Sequence, residues 1–359
     1  MGEELRVERD GSWWRIVGDD AAVVVLANDY LGHLADRNYS SHTVRTYAFA
    51  LLAFCRWLSQ EGVALNAVTT ETLLGFLAAC RRATVTGRPG PNVVRMDGRR
   101  VDGYTPATLN LWLAVISGMF AFRGLRDPNA KNPVPKGKEA RRLTSGERAG
   151  LLTHVARRPR NRSALRLREP RRLPRALDRD EVVALVGSLR SWRDRAMAGL
   201  MVFCGLRAGE VLALHVKDVD IGGRWLRVWG KGAKERRVPL DVDVAGVIQT
   251  YLLAERPETD STALFVVAKG SNRGQPLTPA GLRTIFRYHR AQSGVPAGHP
   301  HALRHTFGTA LAEAGVDLAV MQALLGHAHI DTTARYVHLA PTHVKAEFDA
   351  ARERQRTRR

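Results

Sequence analysis

Between residues 126 and 175 the chain carries 16 basic residues, 4 acidic residues and six prolines. So much like charge, with prolines that interrupt helices, cannot line a hydrophobic core. The 359-residue chain is therefore expected to fold as two bodies, one on each side of this connector. Both flanking blocks are nearly neutral, +1 over residues 1–125 and +3 over 176–350. The last nine residues, ARERQRTRR, add +4, so 16 of the formal +20 sits in the connector and the tail. A connector of this length is either solvated chain or a basic strap that orders on a polyanion, and both readings fit. Thr144 and Glu147 ahead of Leu151 and Leu152 have the spacing of one helix cap inside it.

Composition narrows the class. A hydrophobic share of 45% and a mean hydropathy of −0.22 describe a globular chain and not a disordered basic tail. A pI near 10.8 makes nucleic acid the expected partner, ahead of an anionic membrane. The longest apolar run, Ala196–Leu206, has 11 residues, short of the roughly 18 that a membrane span needs. The start, MGEELRVERDG, does not read as a signal peptide. Cys55, Cys80 and Cys204 lie far apart in apolar surroundings, which suits a reducing compartment. A cytoplasmic protein is expected.

The coarse pattern is mainly α with a small β-sheet. Residues 1–27 form an N-terminal extension with two β-like runs, Trp13–Val17 and Ala22–Leu26, which a hairpin would join. Residues 28–125 read as an all-α domain of about four helices. Ser40 to Thr43 cap a run with Val44, Tyr47, Leu51, Phe54, Cys55 and Leu58 on one face. Thr69 to Thr72 open a second amphipathic helix, and Thr105-Pro106 a third that runs through Leu109–Phe122. After the connector, residues 176–340 alternate helices with one hairpin, Trp225–Trp229 and Arg236–Leu240, joined through Gly230-Lys231-Gly232. A last helix, 341–350, precedes the arginine tail.

Several positions in the second block carry chemistry. Arg207 and Glu210 stand three residues apart, where a carboxylate can fix a guanidinium fork; alone, such a pair is more often a surface ion pair. His301 and Arg304 fall on one helix face with His305 a turn from His301, a cationic group without a carboxylate that suits phosphate. Zinc is the competing reading for the histidines, and neither HExxH nor CxxC is present to support it. His327 follows the apolar helix Met321–Leu325, where a helix C-terminus favours imidazolium. Lys231 sits at a hairpin tip. It is no P-loop lysine, since Trp225 and Gly232 occupy the positions of the required Gly and Ser/Thr. Tyr336, in TTARYVH, is by itself more often a core residue.

Taken in order, GLRxxE, GKGxKxR followed by VPL, HxLRH, LLGH and TTxxYxH resemble the tyrosine recombinase (phage integrase) family of site-specific DNA recombinases. The resemblance spans residues 177–340. More loosely it covers 28–125, where Ser40 or Ser41, Thr43, Tyr47, Leu51, Phe54 and Trp57-Leu58 resemble the family's SAM-like core-binding domain. It implies a SAM-like DNA-binding domain followed by a mixed α/β catalytic domain. It also implies that Tyr336 attacks a scissile phosphate to give a 3′-phosphotyrosyl link. Arg207 and Arg304 would then hold the non-bridging oxygens. Lys231 would protonate the leaving 5′-oxygen and His301 would assist proton transfer at Tyr336. His327 would donate to the phosphate, and Glu210 would orient Arg207.

No cofactor, divalent metal or ATP is expected, because the cations neutralise the phosphate and the covalent ester conserves the bond energy. The expected partners are double-stranded DNA at specific recombination sites and further copies of the chain. The active form would be a tetramer on synapsed DNA, joined through the 341–350 helix. Arg45, Arg171, Arg172 and Arg175 are read as DNA contacts. Whether the chain is a phage integrase, a transposon (mobile element) recombinase or a cellular resolvase stays open: the connector is long, and the N-terminal extension too short for an arm-binding domain. The competing functions are a non-catalytic DNA-binding protein of the same fold, a metal-dependent nuclease and a type IB topoisomerase.

Overall fold

The computed structural model describes residues 4–11, 13–19, 21–83, 103–135, 163–169, 175–230, 235–326 and Thr333. They form two compact units that divide at Pro170–Arg171.

The first unit opens with an antiparallel hairpin. Strand β1 (Arg6–Asp10) pairs with β2 (Trp13–Val17) in a register from Arg6 opposite Val17 to Asp10 opposite Trp13. Gly11 turns between them at φ +58°. The second β-like run of the sequence is not a strand. Ala22–Leu26 begins helix α1 (Ala22–Asp36). Its valines misled by β-propensity, but Val23, Val24, Ala27, Tyr30, Leu31 and Leu34 are buried at helical spacing, and packing overrides propensity. The side chain of Asn28 on α1 ties the hairpin down, accepting from the Ile16 amide and donating to its carbonyl, both at 2.8 Å.

Helices α2 (Ser41–Gln60), α3 (Thr70–Arg82) and α4 (Pro106–Arg126) complete this unit, with Ser40, Thr69 and Thr105 as N-caps. Leu51, Phe54, Leu73, Phe76, Leu109 and Ile116 fill their common core. By length and composition α4 could cross a membrane, with a mean hydropathy of 1.3 over its best window. Instead Trp112, Val115, Ile116, Met119 and Phe120 are buried within the unit. The apolarity serves packing.

The described segments on either side of residues 136–162 are built into this first unit, while Arg175, at the connector's far end, belongs to the second. The Thr70 hydroxyl donates to the Pro133 carbonyl at 2.8 Å, Val134 is buried, and Leu165 and Leu167 pack on the core. The Ala164 amide donates to the Pro135 carbonyl at 3.3 Å, so the described residues that flank 136–162 meet. That stretch, with the helix cap expected at Thr144–Glu147, lies outside the described residues.

The second unit carries α5 (Arg179–Ser188), α6 (Trp192–Val202) and α7 (Ala208–Ala213). A three-stranded antiparallel sheet follows, of β3 (Val219–Asp220), β4 (Trp225–Trp229) and β5 (Glu235–Pro239), with β4 central. The two-residue β3 was too short to read from sequence. Helix α8 (Val242–Thr250) runs on into a π turn, and α9 (Pro279–Gln292), α10 (Pro300–Glu313) and α11 (Leu318–Leu325) complete the described part. Helix α6 is the centre: every residue from Ala196 to Val202 is buried, and α8 and α10 pack on it.

Candidate active site

The site grows from the loop between α6 and α7. Gly205 leaves α6 with φ +67°, and a Cβ there would lie 2.3 Å from the Phe307 ring, so both the backbone turn and the close approach require glycine. That turn delivers Arg207 to the N-cap of α7, with Glu210 at the third helical position. Glu210 reaches back to accept from the Arg207 amide at 2.8 Å and from Arg207 Nη1 at 2.7 Å. The pair seen in the sequence is not a surface pair, because the Glu210 side chain is only 6% exposed.

Glu210 binds more than Arg207. Arg236, on β5, lays its fork along the carboxylate, Nη1 to Oε1 and Nη2 to Oε2, both at 2.9 Å. Arg304 Nη1 lies 3.8 Å from Oε2. One buried carboxylate thus anchors three guanidinium groups. Burial pushes the Glu210 carboxyl up, but hydrogen bonds from Arg236 and the Arg207 amide, together with both positive charges, hold it below the usual carboxylate range.

The same three arginines grip the end of α11. Arg207 Nη2 donates to the Gly326 carbonyl at 3.1 Å, Arg236 Nε approaches the Leu324 carbonyl at 3.4 Å, and Arg304 Nη2 donates to Leu325. Three successive carbonyls that the helix leaves unpaired, at its negative pole, each meet an arginine from a different element. Arg304 also donates through Nη1 to the Gly205 carbonyl.

The expected residues are not all gathered. Arg207, Glu210 and Arg304 come together as the sequence implied. His301 stands exposed on the second residue of α10, while Arg304, one turn on, is buried, so the two do not form the common surface pair that their spacing suggested. His299 caps α10 instead, its Nδ1 accepting from the Ala302 amide at 3.0 Å. Burial, then the charges of Arg290 and His301, push the His299 pKa down and favour the neutral ring that this cap needs.

Lys231, His327 and Tyr336 lie outside the described residues, as do Arg171, Arg172 and the 341–350 helix. Thr333, three residues before Tyr336, is described and fully buried. Arg175 is exposed and pairs with Glu181 at 2.6 Å. Arg45, also exposed, lies over the rings of Trp14 and Phe49 at 5.2 and 5.3 Å. Arg236 was missed as a site residue, although it is the last letter of the GKGxKxR motif; its partner is 26 positions away and only the fold joins them.

The molecule thus has a helical unit and a mixed α/β unit in which three arginines converge on one buried acid. Comparison with known proteins gives the family. Residues 175–343 match the phage integrase family and residues 27–88 its N-terminal SAM-like domain. A tyrosine recombinase XerC of Mycobacterium bovis is 33% identical over 340 residues, covering 93% of this chain and 99% of the relative. Another XerC, from Alcanivorax borkumensis, is 36% identical over 214 residues, 56% of this chain and 68% of the relative. Among solved structures, the XerH site-specific recombinase bound to palindromic difH substrate has a TM-score of 0.59 at 22% identity, covering 87% of this chain and 80% of that one. The Tn1549 transposon integrase in complex with a circular intermediate DNA has a TM-score of 0.57 at 18% identity, covering 87% and 94%. These two show likeness of fold. The chain belongs to the phage integrase family: it is a tyrosine recombinase, an enzyme of site-specific DNA strand breakage and rejoining.

Proposed function

We propose that Tyr336 is the nucleophile of this recombinase and that Arg207 and Arg304 bind the scissile phosphate. The observation that carries the reading is the convergence of both arginines on buried Glu210, beside the end of the helix that leads to His327. A tyrosine phenol titrates near pH 10, so it attacks well only where cations stabilise the phenolate and the charge that grows on phosphorus. The phenolate oxygen forms a bond to phosphorus as the bond from phosphorus to the 5′-oxygen breaks. Lys231 gives its proton to that leaving oxygen, and His301 takes the proton from the tyrosine. His327 donates to a non-bridging oxygen.

The product is a 3′-phosphotyrosyl ester and a free 5′-hydroxyl. Attack by the 5′-hydroxyl of a partner strand reverses the step and frees the tyrosine. Arg45, Arg171, Arg172 and Arg175 contact the DNA backbone, in the cytoplasm. The working assembly is a tetramer on two synapsed sites, joined through residues 341–350.

A duplex nicked beside the cleavage position tests the chemistry, because the short fragment that carries the freed 5′-hydroxyl diffuses away and traps the covalent complex. Wild type should give an adduct that survives SDS, and Tyr336→Phe none. An adduct that persists in Tyr336→Phe overturns the assignment, and no adduct with wild type on its own site favours a binding protein that has kept the fold. Arg207→Ala and Arg304→Ala should abolish the adduct while gel-shift affinity stays within a few-fold.

A further inference from the structure

The structure assigns to Arg236 the role of a positioning residue, which holds Glu210 so that Arg207 stays available to the phosphate. This rests on the proposed role of Arg207. A carboxylate and a guanidinium prefer to meet fork to fork, with two parallel hydrogen bonds. At Glu210 that geometry belongs to Arg236, which spans both oxygens at 2.9 Å. Arg207 keeps a single side-chain bond to the acid, Nη1 to Oε1, and turns its Nη2 to the Gly326 carbonyl. Without Arg236, the open edge of Glu210 would draw Arg207 into the bidentate pair and away from substrate.

Exposure agrees with this division. The Arg236 side chain is 15% exposed and Arg304 6%, whereas Arg207 is 35% exposed. Of the two arginines that hydrogen-bond Glu210, Arg236 is the enclosed anchor and Arg207 the open edge.

Arg236 also joins three motifs that lie apart in the sequence. It stands on β5, opposite Val228 of β4, in the hairpin whose connection contains Lys231. It holds the acid of α7. It also packs against Gly326, the residue before His327: a Cβ on Gly326 would sit 2.9 Å from Arg236 Cζ, and the backbone there has φ +58°. The glycine of LLGH therefore leaves room for this guanidinium as well as ending α11.

The test measures adduct formation on the nicked duplex, with gel-shift affinity and thermal unfolding alongside. Arg236→Lys keeps the charge and loses the fork. It should slow cleavage by about 10- to 100-fold, the scale of loss when a phosphate-holding group shifts by an ångström, with affinity within two-fold. In a Glu210→Gln background the same substitution should add less than about three-fold, since residues that act as one unit are not additive.

Gly326→Ala, which leaves every charge in place and crowds the guanidinium, should reproduce the defect and not multiply with Arg236→Lys. Cleavage by Arg236→Lys at the wild-type rate overturns the proposal, as do multiplicative losses with Glu210→Gln. Equal losses of binding and cleavage would make Arg236 structural only. Wild-type cleavage by Arg207→Ala would instead remove the reading on which the inference rests.

Discussion

Asn110 closes on the backbone of Leu167 from both sides, its amide donating to the Leu167 carbonyl at 3.0 Å and accepting from the Leu167 amide at 2.9 Å. The same Nδ2 reaches Glu169 at 2.6 Å. The clip repeats what Asn28 does to Ile16: a helical asparagine supplies the ladder that an extended segment would otherwise find in a sheet. Asn110→Leu removes both bonds and leaves two part-buried backbone groups without partners, a loss of about 1–3 kcal/mol. Trypsin should then cut faster at Arg166 and Arg168, and urea unfolding should shift to lower midpoints. Unchanged cutting rates would show that packing of Leu165 and Leu167 alone holds the segment.

Gly205 and Gly209 sit four residues apart and should respond in opposite directions to alanine. At Gly205 the added methyl meets the Phe307 ring at 2.3 Å in a left-handed backbone, two penalties that together reach roughly 3 kcal/mol or more. Because Arg304 donates to the Gly205 carbonyl, adduct formation should fall as well. Gly209 lies inside α7 with open space around its Cβ position, and Gly209→Ala should be neutral or stabilise by up to about 1 kcal/mol. Denaturant midpoints of the two variants check both signs.

The depressed pKa of Glu210 links the stability of the second unit to pH. The folded protein binds this proton more weakly than the unfolded chain does, so the stabilisation is complete above the ordinary carboxyl value of 4.5. It is lost as pH falls from there through the lower folded value. Thermal midpoints of wild type should drop between pH 5 and pH 3 more steeply than those of Glu210→Gln. At pH 7 the glutamine variant should be the less stable of the two, because Arg236 loses its charged partner. Parallel curves would show that other carboxylates dominate acid unfolding.

Much of this architecture is legible in the sequence because the signals are local. Ser40, Thr69 and Thr105 cap the helices their spacing announced, and each begins within a residue of the expected place. The failures have physical causes. Val23, Val24 and Val25 imitate a strand, but Val23 and Val24 are buried at helical spacing with Ala27 and Leu31 while Val25 stays exposed, and that packing makes the run helical. The Arg207–Glu210 pair was visible, but its burial depends on Arg236 and on the α11 terminus, more than a hundred residues downstream, and no local pattern encodes that. Charge density made 126–175 look like linker throughout. Single apolar residues, Val134, Leu165 and Leu167, anchor two segments of it to the first unit.

Thr309 gives a test of packing. Its hydroxyl is buried on α10 with no hydrogen-bond partner among the described residues. Thr309→Val keeps the shape and removes the stranded polar group, so it should be neutral or stabilise by about 1 kcal/mol. A large loss would reveal an ordered water or another bound group at that hydroxyl.

The connector's charge should set the grip on DNA without setting the site. Residues 136–162 carry nine Lys or Arg and two Glu, and the described residues that flank them meet where Ala164 donates to Pro135. Because the base is already closed, replacing the stretch with a short Gly-Ser turn should leave the first unit folded, with the Asn110 clip and the packing of Val134 intact. DNA affinity should fall on every sequence alike, since cations that meet phosphates carry no base information. Each phosphate that is no longer neutralised lowers the slope of log affinity against log salt by about 0.9. If the stretch neutralises about four to six phosphates, its removal flattens the slope by roughly 4–5. Specific and random duplexes titrated from about 50 to 200 mM salt, with wild type and the shortened chain, give the comparison. An unchanged slope means that the basic stretch does not touch DNA, and a loss confined to the specific duplex would mean that it reads sequence.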